Sequence, residues 1–108
     1  MSNDPGKSLF EVETPLGFRV RVGEAHWDFL VRVKHPAMAG READVRAALS
    51  APDEVRRSRR DPDVLLFYKA DGGRRWVCAV CRRVNGNGFL ITAYPTDGIK
   101  EGERIWPA

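Results

Sequence analysis

The sequence predicts an α+β domain: an N-terminal β-hairpin and two helices, followed by a four-stranded antiparallel meander sheet. Three observations lead there. The chain has 108 residues, 43% of them apolar and 31% charged, which suits one folded domain with one core. The hydrophobic period changes from helical to alternating near residue 54. And the alternating segments are separated by Asp-Gly and Asn-Gly breakers, which favour hairpins between neighbouring strands.

The elements follow in order. Residues 1–7 are polar and are expected to fray. Residues 9–13 and 18–22 alternate around Thr14-Pro15-Leu16-Gly17, a hairpin signal. This hairpin is either an extra strand pair on the sheet or a dimerisation arm. Residues 24–33 put Trp27, Leu30 and Val31 at i, i+3, i+4, as in a short amphipathic helix, with a strand over 29–33 as the competing assignment. Lys34-His35-Pro36 ends it, because the residue before proline is pushed out of the α region. Residues 41–50 place Ala43, Val45, Ala48 and Leu49 near one face of a second helix, stopped by Ala51-Pro52-Asp53. Four strands are expected at 54–58, 64–69, 75–83 and 89–94. The tail from 95 to 108 is polar, with Ile99, Ile105 and Trp106 as anchors.

Charge is unevenly spread. Residues 1–54 carry 7 basic and 9 acidic side chains, and residues 55–108 carry 11 and 6. Arginine outnumbers lysine 14 to 4, and Arg56, Arg57, Arg59 and Arg60 are separated only by Ser58. Guanidinium groups grip phosphate bidentately and stay charged at any working pH. Arg56, Arg57, Arg60, Arg82 and Arg83 are therefore candidates for nucleic-acid contact; a GC-rich genome accounts for arginine equally well. Alternation from Val55 directs Arg57 and Arg59 toward the cleft between helices and sheet, where a charge needs an anion or a carboxylate.

Other chemistry is sparse. Cys78 and Cys81 have zinc-like spacing, but no second pair accompanies them, and residues three apart on a strand face opposite ways. They read as small core residues. No metal site, cofactor motif or phosphate loop is expected. The apolar runs are too short to span a membrane and no secretory leader opens the chain, so a cytoplasmic location is expected. His26 and His35 are the natural proton shuttles, and His35 sits on a backbone joint fixed by Pro36. In the last strand, alternation groups Leu90, Thr92 and Tyr94 on one face, against Phe89, Ile91 and Ala93. Tyr68 could join the two hydroxyls. Histidine, arginines and strand hydroxyls together suit metal-independent RNA cleavage, in which the ribose 2′-OH attacks its own phosphate.

The stretches KHPAMAGREADVRAALSAPDEVRRSRRDPDVLLFYK and RRWVCAVCRRVNGNGFLITAYPTDGIKEGERIW resemble the phage- and mobile-element-associated nuclease families of the barnase–EndoU–colicin–RelE superfamily. The order of features is also similar to BrnT-type toxins. The resemblance implies a helical N-terminal part before a four-stranded sheet, RNase activity, and toxin action with an antitoxin protein as partner. It implies His35 as the acid–base residue, Arg59 as a phosphate clamp, Thr92 and Tyr94 as the polar residues of the sheet, and Arg57 and Tyr68 in secondary roles. Two alternatives stay open: a non-catalytic nucleic-acid- or protein-binding domain of the same fold, and a structural protein with Arg57 and Arg59 paired to carboxylates.

Overall fold

The computed structural model describes residues 7–99 and 101–107; the expected fraying at 1–6 lies outside them. Strands β1 (Ser8–Glu13) and β2 (Arg19–Gly23) form the expected N-terminal hairpin. Its turn is held by Thr14, whose Oγ1 accepts from Leu16 N–H at 3.2 Å and donates to the Phe18 carbonyl at 3.0 Å. Helix α1 (Glu24–Phe29) buries Trp27 and runs on as a π turn at Leu30–Lys34. The competing strand does not form. Helix α2 (Glu42–Ser50) buries Val45, Ala48 and Leu49; Ala43, expected on that face, is exposed.

The meander follows as β3 (Glu54–Arg57), β4 (Val64–Ala70), β5 (Trp76–Val84) and β6 (Asn87–Thr96), each antiparallel to the next. The β5–β6 link is a two-residue turn, Asn85 and Gly86, with φ of 51° and 82°. Positive φ at both positions is the reason Asn-Gly is favoured there.

The sheet is larger than the expected four strands. Its order is β1-β2-β6-β5-β4-β3-β7. The hairpin joins through β2, which runs parallel to β6 over Arg19↔Asn87 to Arg21↔Phe89. It therefore extends the sheet. At the other edge, the tail supplies β7 (Glu103–Trp106), antiparallel to β3. The tail's charged residues hide this strand from a reading by alternation. Its pairing with β3 covers a ladder edge that would otherwise be left open.

The two faces of the sheet are filled differently. The helix side holds the main core around Phe67, with Phe18 packed edge-on at 6.4 Å and Trp27, Leu30, Met38, Val45 and Leu49 from the helical segments. The opposite face holds a smaller cluster of Leu66, Tyr68, Cys78 and Val80, with Trp76, Ile91, Tyr94 and Ile99 at its margin. Between β6 and β7, the described residues 97–99, 101 and 102 lie across this face like a strap. Ile99 packs into the cluster, and the Gly102 carbonyl accepts from Arg56 Nη1 at 3.0 Å. Gly102 has φ +83°, and a Cβ there would stand 2.5 Å from the Arg57 carbonyl oxygen. The strap therefore lies down tightly only with glycine at this position.

Candidate functional site

The strap-side face carries the candidate groups in two rows set by strand register. One row reads Glu54, Tyr68, Cys78, Tyr94 across β3, β4, β5 and β6. The next reads Arg56, Leu66, Val80, Thr92. Thr92 and Tyr94 thus share a face, as alternation requires. Leu90 does not share it. A bulge between Val80 and Cys81 lets Leu90 oppose Cys81 and join the helix-side core, while Thr92 opposes Val80. One extra residue in one strand reverses the phase of everything beyond it.

His35 stands at the end of the first row, its ring 5.6 Å from that of Tyr94. Its backbone is held from both sides. Its N–H donates to Leu30 O at 2.8 Å, closing the π turn, and its carbonyl accepts from Met38 N at 2.9 Å. His26 has a different task. Its Nε2 is 2.6 Å from the Ile91 carbonyl, so it donates there and pins α1 to the bulge. The sequence favoured His35 for its place before Pro36, and tertiary contacts give the two histidines different partners.

The row is a mostly buried polar group. The Tyr68 and Tyr94 hydroxyls both interact with the Cys78 thiol. Burial is the main cause that raises both phenols above the ordinary tyrosine range, with Cys78 adding to it. Burial likewise pushes the Cys78 thiol up to about 12. All three therefore stay protonated at neutral pH, and the tyrosines act as hydrogen-bond donors rather than bases. Tyr68 is only 2% exposed, which turns it toward Cys78 and away from solvent. Tyr94 is half-buried beside His35. The Thr92 Oγ1 is buried and has no partner among the described residues. An unsatisfied buried hydroxyl costs about 1–3 kcal/mol, and this one lies a single row from Tyr94.

The arginines divide into three sorts. Arg56 bonds Glu54 at 2.6 Å and the strap at Gly102, so it is structural clamp as much as surface charge. Arg82 is bound to Asp61 at 2.6 Å; hydrogen bonds from Asp63 N–H and then from Arg82 hold the Asp61 carboxyl below its ordinary value. Arg83 points to the other face and covers the Phe18 ring at 4.9 Å. Arg57, Arg59 and Arg60 make no ion pair with a described residue. Arg57 shares the helix-side face with Val55 but lies exposed at the strand end. Arg59 does not point into the helix–sheet cleft. β3 ends at Arg57, so alternation no longer governs it. Instead Ser58, Arg59 and Arg60 line a depression with Glu101 and Gly102 of the strap.

The strap itself was not legible as part of a site. Ile99 was an expected anchor, but Glu101, whose charge acts on Tyr68, Cys78 and Tyr94, carries no signal in sequence. Cys78 and Cys81 are both free and buried, on opposite faces as their spacing requires. Among the described residues, no three His, Cys, Asp or Glu side chains cluster as metal ligands, and no helix is long and apolar enough to cross a membrane. Comparison with protein-family models, curated proteins and solved structures finds no match.

Proposed function

We propose that this chain is a metal-independent endoribonuclease of the toxin kind. The observation that carries the reading is the 5.6 Å approach of His35 to Tyr94, next to the buried Thr92 hydroxyl, which has no partner among the described residues, on the same sheet face. In this mechanism the His35 imidazole takes the proton of a ribose 2′-OH. The freed oxygen attacks the adjacent phosphorus, and the bond to the 5′ oxygen breaks. Tyr94, kept protonated by burial, donates its proton to that leaving oxygen, and the proton on His35 then restores the phenol. Thr92 Oγ1 is buried, so it backs the row behind Tyr94 and does not touch the reacting phosphate. The products are a 2′,3′-cyclic phosphate and a 5′-OH. Arg57, Arg59 and Arg60, which make no ion pair with a described residue, draw in the RNA backbone, and Arg59 serves as the phosphate clamp.

The test is cleavage of a mixed-sequence RNA, with product ends identified by mass spectrometry. His35→Ala should reduce the rate by roughly 10²–10⁴-fold with the thermal midpoint unchanged. Equal cleavage by the variant removes His35 from the mechanism. In a bacterial cytoplasm, growth arrest dependent on His35 is the outcome expected of a toxin, and relief by a co-expressed protein would identify an antitoxin.

A second reading, a non-catalytic RNA-binding domain, is favoured by one observation. Arg59 and Arg60 follow β3, which is three strands from β6, or roughly 14 Å at ordinary strand spacing. Salt-sensitive RNA binding without His35-dependent cleavage is the result that selects it.

A further inference from the structure

The strap covers only part of its face, and β6 carries a second patch beyond it. Phe89 is 47% exposed, although β6 lies inside the sheet with partners on both sides. Strand register gives Phe89 an arginine neighbour on each side: Arg21 of β2 and Arg82 of β5. Cross-strand partners present their side chains on the same face. The result is an aromatic ring between two guanidinium side chains, on the face that also carries Thr92 and Tyr94.

The charges around it are mostly committed. Arg82 is held by Asp61 at 2.6 Å. Arg19, one residue pair further along β2, is shared by Glu13 at 3.0 Å and Glu11 at 3.6 Å. Arg21 alone has no ion pair or side-chain hydrogen bond with a described residue. It lines two adjoining depressions, of about 470 and 340 Å³, that share Arg21 and Phe89 and reach His26 at the bulge. One open ring face and one available cation are the demands of a single nucleotide: a base to stack and a phosphate to neutralise. A polyanion without bases, such as an acidic peptide, would find here one cation unpaired among the described residues and nothing to place on the exposed ring.

We infer that Phe89 and Arg21 form a nucleotide subsite for single-stranded RNA, stacking one base on the Phe89 ring and holding the adjoining phosphate at Arg21. The inference rests on the reading of the chain as an RNA-cleaving protein and adds a second point of contact for the same substrate. Phe89 and Tyr94 are five residues apart on β6, and with the bulge between them they match a span of four residues on β5, Arg82 to Cys78, or about 13 Å. A strand lying along β6 therefore reaches both points within a few nucleotides. The subsite supplies affinity and register; it does not touch the reacting atoms.

The experiment measures binding separately from cleavage. A fluorescein-labelled 2′-O-methyl RNA oligonucleotide, which has no 2′-OH to attack, is titrated with the full chain and followed by anisotropy. Phe89→Ala should weaken binding about tenfold or more, given the usual worth of a base–aromatic stack, while Phe89→Tyr retains it. Arg21→Ala should weaken binding and flatten the salt slope by about 0.7, the share of one phosphate on a single strand. Phe89 is exposed, so thermal midpoints should stay within a few degrees. Equal affinity of Phe89→Ala, no binding by the unaltered chain, or Phe89-dependent displacement of the oligonucleotide by a poly-glutamate peptide overturns the subsite. Phe89-dependent binding by a chain that never cuts RNA upholds it and removes the cleavage reading. His35-dependent cleavage with affinity unchanged in Phe89→Ala does the reverse.

Discussion

The two faces of one sheet are built on different terms. On the helix side, Phe67, Val77, Ala79 and Cys81 meet side chains from α1, the π turn and α2, and the contact is apolar throughout. On the strap side, a thinner cover of strap residues lies over tyrosines, a thiol, a threonine hydroxyl with no partner among the described residues and an arginine–glutamate pair. The first arrangement stabilises without specifying chemistry. The second stabilises less and keeps polar groups at fixed spacing. Strand register supplies that spacing without any help from loops: Cys78, Tyr94 and His35 are held by ladder hydrogen bonds and by a doubly bonded joint.

The contrast can be broken experimentally. Phe67→Ala, at the centre of the helix-side core, should cost about 3–5 kcal/mol in chemical denaturation. A loss below about 1 kcal/mol would mean that this face is not close-packed. Gly102→Ala should cost roughly 1–3 kcal/mol, through a Cβ driven against the Arg57 carbonyl and a φ of +83°. Its sharper signature is asymmetry between the faces. Cys78, under the strap, should become alkylated faster under native conditions, while Cys81, under the helices, keeps its protection. Equal acceleration at both thiols would show global unfolding instead.

The thiols also give a pH prediction. Burial raises both from the ordinary 9.0 to about 12. The folded chain then holds more protons than the unfolded one between those values, so stability is full below pH 9 and falls as pH rises toward 12. The buried phenols act in the same direction from their ordinary 10.0 upward. A loss of roughly 4 kcal/mol by pH 10.5, about 2 from each thiol, should appear in denaturation curves, and Cys78→Ala should remove about half of it. A flat profile over that range would refute the burial argument. The smallest effect belongs to the open surface. Arg19→Ala removes contacts to Glu11 and Glu13, yet stability should change by less than about 1 kcal/mol, because the pair is well solvated.

Much of this was legible before the structure. Asn85-Gly86 marked its turn because few residues other than Asn and Gly accept positive φ. Trp27 and Leu30 marked α1 and the π turn after it by period, and Thr92 with Tyr94 marked one sheet face. The site was legible only in part. His35 was a candidate from its place before Pro36, but its approach to Tyr94 depends on how the helical segment closes against the open half of β6. Arg59 was expected in the cleft because alternation was carried past the end of β3.

What the sequence determined by itself is local: which segments form the hairpin, the helical part and the meander, which side chains alternate, and which turns reverse the chain. These depend on φ/ψ preferences and on spacing between near neighbours. Tertiary structure decided the rest. It joined β2 to β6 in parallel, brought the charged tail to the edge at β3, drew the strap over Tyr68 and Cys78, and placed a bulge at Ile91 that moved Leu90 into the core while keeping Thr92 with Tyr94. Each of these depends on which ladder edges and apolar faces remain open after the meander has formed, and residues far apart in the chain satisfy them.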